Sequence, residues 1–306
     1  METIKTQKKQ EKMKDIRKSF RILKDPFALT FYIVMIIYVL LLIIPVFWML
    51  MSTFKDNIDM TLNPMGFPKK WILDNYFVAL NKMYIPIYKN GVVSNVYMPQ
   101  MMWNAFSWAV LGNIIGLFTQ IIVSYGVCKY KSIVGRIIDS FVIVTMVLPI
   151  VGSTAGTMVL YRALGLYDNF WGMLITCAGW GGGNYLLFKG VFRGVSNEYR
   201  DAAFIDGASH AQVLFTIMIP MIKTSIIALF ILGFIGSWND YMTALMWLPS
   251  RPTIGYGLFR FRENTEISTT PRQLAGCCIV MIPVAILFLI FRNKIMGNLA
   301  MGGLKG

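Results

Sequence analysis

Charge is what this 306-residue chain has least of: Asp, Glu, Lys and Arg make up 14% of it, against ~25% in an ordinary soluble domain. Too few ionic groups remain to cover a water-facing surface, which excludes a conventional soluble enzyme. Histidine is reduced to His210, and the cysteines are four: Cys128, Cys177, Cys277 and Cys278. Each cysteine falls in an apolar run without a C-x-x-C pair or a histidine partner, so they read as small buried hydrophobes and no metal site is expected. His210 could titrate near neutrality but reads as a solvated loop residue. No GxxxxGK[ST] run exists, so ATP cannot be hydrolysed on this chain through the usual phosphate loop. Membrane enzymes are disfavoured too, because no nucleophile, base or metal cluster stands out. No internal repeat is evident.

Apolar length is what the chain has in quantity, with 56% hydrophobic residues and a mean hydropathy of +0.57. A charge at mid-bilayer costs a few kcal/mol, so charge-free stretches mark candidate spans. Six such windows stand out: 31–51, the run from about 101 to 128, 140–161, 169–188, 224–250 interrupted by Asp240, and 273–291. At ~1.5 Å per residue each can cross ~30 Å of hydrocarbon. They lack the alternation of a membrane barrel. The fold class expected is an all-α integral membrane protein with six transmembrane helices, Pro45 kinking the first. The first apolar run exceeds a signal peptide and lacks a small-residue cleavage site, which predicts a retained span.

Loop charge orients the spans. Of 29 Lys and Arg, 19 fall in 1–24, 129–139, 189–223 and the tail after Phe291, and 10 in the intervening loops. Both termini are therefore expected to be cytoplasmic. The net charge of +14 is then a lipid-facing anchor, and no motif supports nucleic-acid binding. The chain divides into a basic cytoplasmic N-terminus (1–26), the first span (27–54), an extracytoplasmic segment (55–100), a five-helix core (101–293) and a cytoplasmic tail (294–306). The outer segment suggests one short interfacial helix near Trp71–Leu80. The outer loop 249–272, rich in Pro and Gly, reads as irregular.

The cytoplasmic stretch between the fourth and fifth windows is the most informative. Ser196 or Asn197 can cap a helix whose first turn holds Glu198 and Asp201, favoured by the helix dipole. Ala202 and Ala203 present almost no side chain, Phe204 and Ile205 are expected to stay exposed without a partner, and Gly207 permits a reversal into a second helical piece. A short helix of this kind at the membrane face is a docking knob. Asp201-Ala202-Ala203, then Gly207, then Ile217-x-Ile219-Pro220 resembles the signature of the membrane-spanning subunits of binding-protein-dependent ATP-binding-cassette importers. That signature reads Glu-Ala-Ala, three residues, Gly, nine residues, Ile-x-Leu-Pro. Ser237-Trp238-Asn239-Asp240-Tyr241 and Met301-Gly302-Gly303-Leu304-Lys305-Gly306 are similar to its sugar-importing branch, typified by the second permease of maltose systems.

The resemblance, which covers roughly 101–306, implies the type I importer permease fold and a coupling helix at about 197–210 that seats in a separate ATPase. It assigns that coupling to Asp201, Ala202, Ala203, Asp206 and Gly207, with Ile217 and Pro220 completing the signature, and a tail contact to Leu304, Lys305 and Gly306. It further implies a second permease subunit, two ATPase subunits that carry ATP and Mg, an extracytoplasmic solute-binding protein, a sugar or oligosaccharide as cargo, and a bacterial plasma membrane as location.

The residues themselves add candidates for the translocation path. Trp238, Asn239, Asp240 and Tyr241 offer hydrogen bonds and aromatic faces suited to sugars, and Asp240 is the sole carboxylate within a predicted span. Gly233, Ser237, Asp240 and Ala244 form a small or polar stripe at helical spacing. Asp240 reads equally well as a cap at a helix break. Asn113, Gly116, Gln120 and Ser124 line one helix face, as interhelical glue or substrate contacts. Asn184 ends the run Gly179–Asn184, which is either an unwound cavity lining or a close crossing. A rival reading is an ion- or proton-coupled secondary transporter using Asp240, though such proteins commonly carry inverted repeats.

Overall fold

The structure is a computed structural model and describes residues 25–89, 91–130, 132–148, 152–179 and 181–299. Leu304, Lys305 and Gly306 lie outside the described residues. By contacts the chain forms two compact units, Met1–Asn75 and Tyr76–Gly306.

In the first unit, α1 (Pro26–Ser52) starts where the Asp25 carboxylate accepts the Phe27 N–H at 3.0 Å, with Pro26 at a position that needs no donor. It runs through Pro45, and its side chains are almost all exposed, as a lipid-facing helix requires. A tight corner follows. The side chain of Lys55 is buried and its ammonium donates to the carbonyls of Asn63 at 2.6 Å and Pro64 at 3.2 Å, holding α2 (Asn57–Leu62) in place. The Trp48 indole N–H also reaches the Pro64 carbonyl at 2.8 Å, and the Asn75 amide donates to Thr53 and Lys55. Lys55→Met strips a charged donor from two carbonyls, so it should destabilise this corner by about 1–3 kcal/mol. Faster proteolysis between 55 and 70 would show it; unchanged resistance would refute it.

α3 (Asp74–Lys82) leads to a hairpin of β1 (Tyr84–Lys89) and β2 (Val92–Tyr97), paired antiparallel from Tyr84↔Tyr97 to Lys89↔Val92. This hairpin departs from the all-helical expectation. Gly91 makes the turn possible, at φ +77°. Then come α4 (Met98–Lys129), α5 (Ile133–Val147), α6 (Ser153–Ala163), α7 (Phe170–Thr176) and α8 (Gly183–Gly194). The remaining helices are α9 (Glu198–Ile205), α10 (His210–Met221), α11 (Lys223–Asn239), α12 (Met242–Trp247), α13 (Ile254–Glu263) and α14 (Thr270–Leu299).

The six charge-free windows are not six continuous helices. Among the described residues α1, α4 and the stretch Thr270–Arg292 of α14 are long and apolar enough to cross a membrane, and the α10–α11 pair, bent by 74°, is a fourth candidate. The third window is split between α5 and α6, the fourth between α7 and α8, and the fifth ends its long helix at Asn239. The outer loop 249–272 is not irregular either. Thr253 caps α13, and Ile254, Gly257 and Phe261 turn one buried face inward.

Three apolar clusters hold the second unit together. One joins Met83, Ile85 and Val96 to Met101, Phe234, Trp238 and Val280, gathering the hairpin, α4, α11 and α14. Another, with Leu117, Tyr125, Phe188, Phe192, Met218 and Ile222, unites α4, α8 and α10. The third packs Trp108 against Phe170, Met173, Leu174 and Leu248.

Candidate functional site

α4 and α8 are joined by a polar ladder. The Gln120 amide donates to the Gly181 carbonyl at 3.2 Å, the Ser124 hydroxyl to Tyr185 at 3.1 Å, and the Cys128 thiol approaches the Lys189 carbonyl at 3.9 Å. Donors and acceptors both advance four residues per rung, so the helices run in the same direction with small residues at the seam, the arrangement favoured in membranes. A Cβ on Gly116 would sit 3.1 Å from the Cys177 carbonyl. The close approach thus falls at Cys177, while residues 178, 179, 181 and 182 before Asn184 are non-helical and a Cβ on Gly179, Gly182 or Gly183 would meet nothing within 4 Å. Asn184 itself is half-buried in the first turn of α8.

A second crossing joins α4 to α11. The Asn113 amide donates to the Ser237 hydroxyl at 3.1 Å and to the Ala109 carbonyl at 2.5 Å, while a Cβ on Gly233 would fall 1.9 Å from Asn113 Oδ1. Asn113 is therefore interhelical glue here. Trp238, expected on the path, is buried: its ring stacks on Phe234 and its indole N–H reaches the Val280 carbonyl at 3.1 Å. Asp240 follows the last residue of α11, and its carboxylate accepts the Thr243 N–H at 3.1 Å, the capping role at a helix break. Asn239 donates back to the Ile235 carbonyl, and Tyr241 stacks on Phe259 with centroids 4.8 Å apart. The structure brings Asn113 to Ser237 and Gln120 to the α4–α8 seam, but joins Asn184 to neither group.

The knob between α8 and α10 has the predicted parts in a different balance. The Ser196 hydroxyl accepts the Glu198 N–H, and Asn197 occupies the cap position with its side chain engaged elsewhere. Ala202, Ile205, Asp206 and Gly207 face outward, Ile205 at 87% exposure, while Ala203 turns inward. Phe204 is not left exposed: it packs into the second cluster and its ring meets His210 at 4.8 Å between centroids. Nor is His210 a free loop residue, since its Nδ1 lies 2.7 Å from the Tyr130 hydroxyl. Gly207 reverses the chain at φ +82°, a conformation side chains rarely adopt. Ser209 and Gln212 then form a capping box that starts α10.

Two residues that sequence reasoning overlooked fasten this knob to α4. Lys129, buried at the end of α4, donates to the Val195 carbonyl at 2.6 Å and to Asn197 Oδ1 at 3.0 Å. The Arg200 guanidinium reciprocates by donating to the Lys129 carbonyl and pairs with Asp201 at 2.7 Å. No local pattern announces contacts across some 70 residues. Lys129→Ala removes a charged donor whose bonds are worth about 1.5–3 kcal/mol. Faster amide exchange across 196–205 with α4 protection intact is the expected result; equal exchange would refute it.

Ile217 and Pro220 sit in α10, apart from that outward face. Residues Val213–Met218 take the wide π turn, which makes room before a proline that cannot fill an ordinary helical position. Ile217 packs inward, and the chain bends by 74° between α10 and α11. Nearby, Lys189 pairs with Asp139 at 2.5 Å and the Tyr185 hydroxyl donates to the same carboxylate at 2.8 Å. Burial alone would raise the Asp139 carboxyl, which lies just before the third charge-free window, but these bonds and the charges of Lys189 and Arg193 hold it below its usual value.

An apolar helical bundle with a clamped, glycine-turned knob between two of its helices defines a multi-pass membrane protein of the transport-subunit type. Residues 112–297 match the family described as binding-protein-dependent transport system inner membrane component, and the chain belongs to that family. It is 27% identical over 289 residues to the inner membrane ABC transporter permease protein YcjP of Escherichia coli (strain K12), covering 90% of this chain and 96% of that one. The maltodextrin transport system permease protein MdxG of Bacillus subtilis (strain 168) is 31% identical over 171 residues, 54% of this chain and 60% of that one. A solved bacterial ABC transporter involved in import of the acidic polysaccharide alginate shares the fold, with TM-score 0.71 at 22% identity over 87% of this chain and 95% of that one.

Proposed function

We propose that this chain is the membrane-spanning permease subunit of an ATP-driven, binding-protein-dependent importer for a sugar or oligosaccharide. The observation that carries the reading is the α9 knob, outward through Asp201, Ala202, Ile205 and Asp206 and clamped to α4 through Lys129 and Arg200. Two copies of an ATPase grip the paired permeases, α9 of this chain seating in one of them. A second permease completes the path, a solute-binding protein delivers cargo outside, and both termini lie in the cytoplasm. ATP and Mg belong to the ATPase. Closure of the motor carries α9, and the clamp passes the displacement to α4 and its partners α8 and α11. The two states must bind nucleotide with different affinity for that switch to be driven. The sugar class rests on the maltodextrin system named above, and contact with the sugar is assigned in this reading to Asn239 and Tyr241, which are both exposed.

The test is co-expression with a candidate second permease, ATPase and solute-binding protein from the same genome, followed by reconstitution. Uptake of a labelled oligosaccharide should require ATP, the binding protein and all membrane subunits. Gradient-driven uptake by this chain alone would overturn the reading.

A further inference from the structure

We propose that the cavity between the end of α4, α5 and α8 is a binding site for an anionic phospholipid, whose phosphate rests on Arg136 and Arg193 and whose acyl chain follows the outer face of α5. The proposal rests on the chain being a bilayer-spanning permease subunit. The cavity, about 560 Å³, is lined among others by Tyr130, Ser132, Arg136, Asp139, Lys189 and Arg193. Lys189 and Asp139 neutralise each other, at 2.5 Å. Arg136 and Arg193 are exposed, and among the described residues no carboxylate lies within 4.0 Å of either guanidinium. With Arg136, Lys189 and Arg193 against Asp139 alone, the cavity lining keeps a net positive charge, which suits a phosphodiester.

The depth is that of a headgroup. Asp139 immediately precedes the charge-free window 140–161 and Lys189 immediately follows the window 169–188, so the cavity opens where apolar sequence gives way to charge. A second groove of about 520 Å³ begins at the same Arg136 and continues along Ile133, Ile137, Phe141 and Val144. These four fall on one face of α5 and are 68%, 63%, 54% and 52% exposed. A free phosphate would use only the polar half. A molecule with a phosphate at one end and a hydrocarbon chain at the other uses both, through the arginine they share.

The experiment takes the assembled transporter in detergent and measures, by native mass spectrometry, retention of phosphatidylglycerol against phosphatidylcholine of the same acyl composition. The assembled wild type should prefer phosphatidylglycerol. Each of Arg136→Gln and Arg193→Gln should cut that preference about fivefold, the effect of one basic residue at a membrane surface. Ile137→Ser with Val144→Ser should weaken retention of both lipids while leaving the preference in place. Excess inorganic phosphate should fail to displace the lipid. Absence of a preference, a preference unmoved by the two arginine variants, displacement by phosphate, or cross-linking of Ile137 to the second permease would each overturn the proposal. ATP-driven uptake that persists in those cases leaves the permease reading standing; a chain that never assembles with an ATPase would overturn that reading instead.

Discussion

Gly207→Val is expected to abolish solute uptake while the chain still reaches the membrane. Gly207 has φ +82°, a region that costs an L-residue roughly 1–2 kcal/mol and a β-branched one more. There is open space where a Cβ would go, so the penalty comes from the backbone and not from a clash. Relief requires unwinding the turn that joins α9 to α10, which moves Ala202, Ile205 and Asp206 off their common outward face. Co-purification of the ATPase should fall with uptake. Gly207→Asn supplies the control, since asparagine tolerates the left-handed region, and it should retain most activity. Full uptake by the valine variant would show that the turn geometry is dispensable.

Gly233→Ala is expected to destabilise the bundle by about 1–3 kcal/mol, the usual cost of forcing volume into a filled interior. The added methyl would fall 1.9 Å from Asn113 Oδ1. Asn113 cannot simply swing away, because its amide is held by Ser237 at 3.1 Å and by Ala109. Thermal unfolding of the purified complex should drop by several degrees, and Asn113→Ala in the same chain should recover part of the loss. That non-additivity is the signature of direct contact. If the two changes added independently, the α4–α11 crossing would not be as close as described.

The outline of the molecule was legible from charge. Windows free of Asp, Glu, Lys and Arg located α1, α4, α11 and α14, because hydrocarbon penalises every ionic group regardless of tertiary detail. The same criterion is blind to breaks in the backbone, which cost no charge. Gly152, at φ +79°, and Gly182, at φ +112°, start the second halves of two windows, and the Asn90-Gly91 dipeptide between β-branched residues was the available signal for the hairpin. Knob and turn could be read from Asp201-Ala202-Ala203 and Gly207 because the pattern is local. Lys129 and Arg200 were not legible, since nothing in a loop lysine or a helical arginine tells which distant carbonyl it will meet. For Trp238 and Asp240 side-chain type left a path contact and a capping role side by side, because it does not reveal that the indole N–H meets the Val280 carbonyl or that one carboxylate oxygen accepts the Thr243 N–H.

The ladder of Gln120, Ser124 and Cys128 on the carbonyls of Gly181, Tyr185 and Lys189 behaves as a rack meshed with its pinion at a pitch of four residues, about 6 Å. Sliding one helix along the other by less than a full tooth would strip all the rungs together. These two rods therefore travel as a single stiff beam, and the 74° elbow after Met221 is the joint left to absorb the alternation of the bundle.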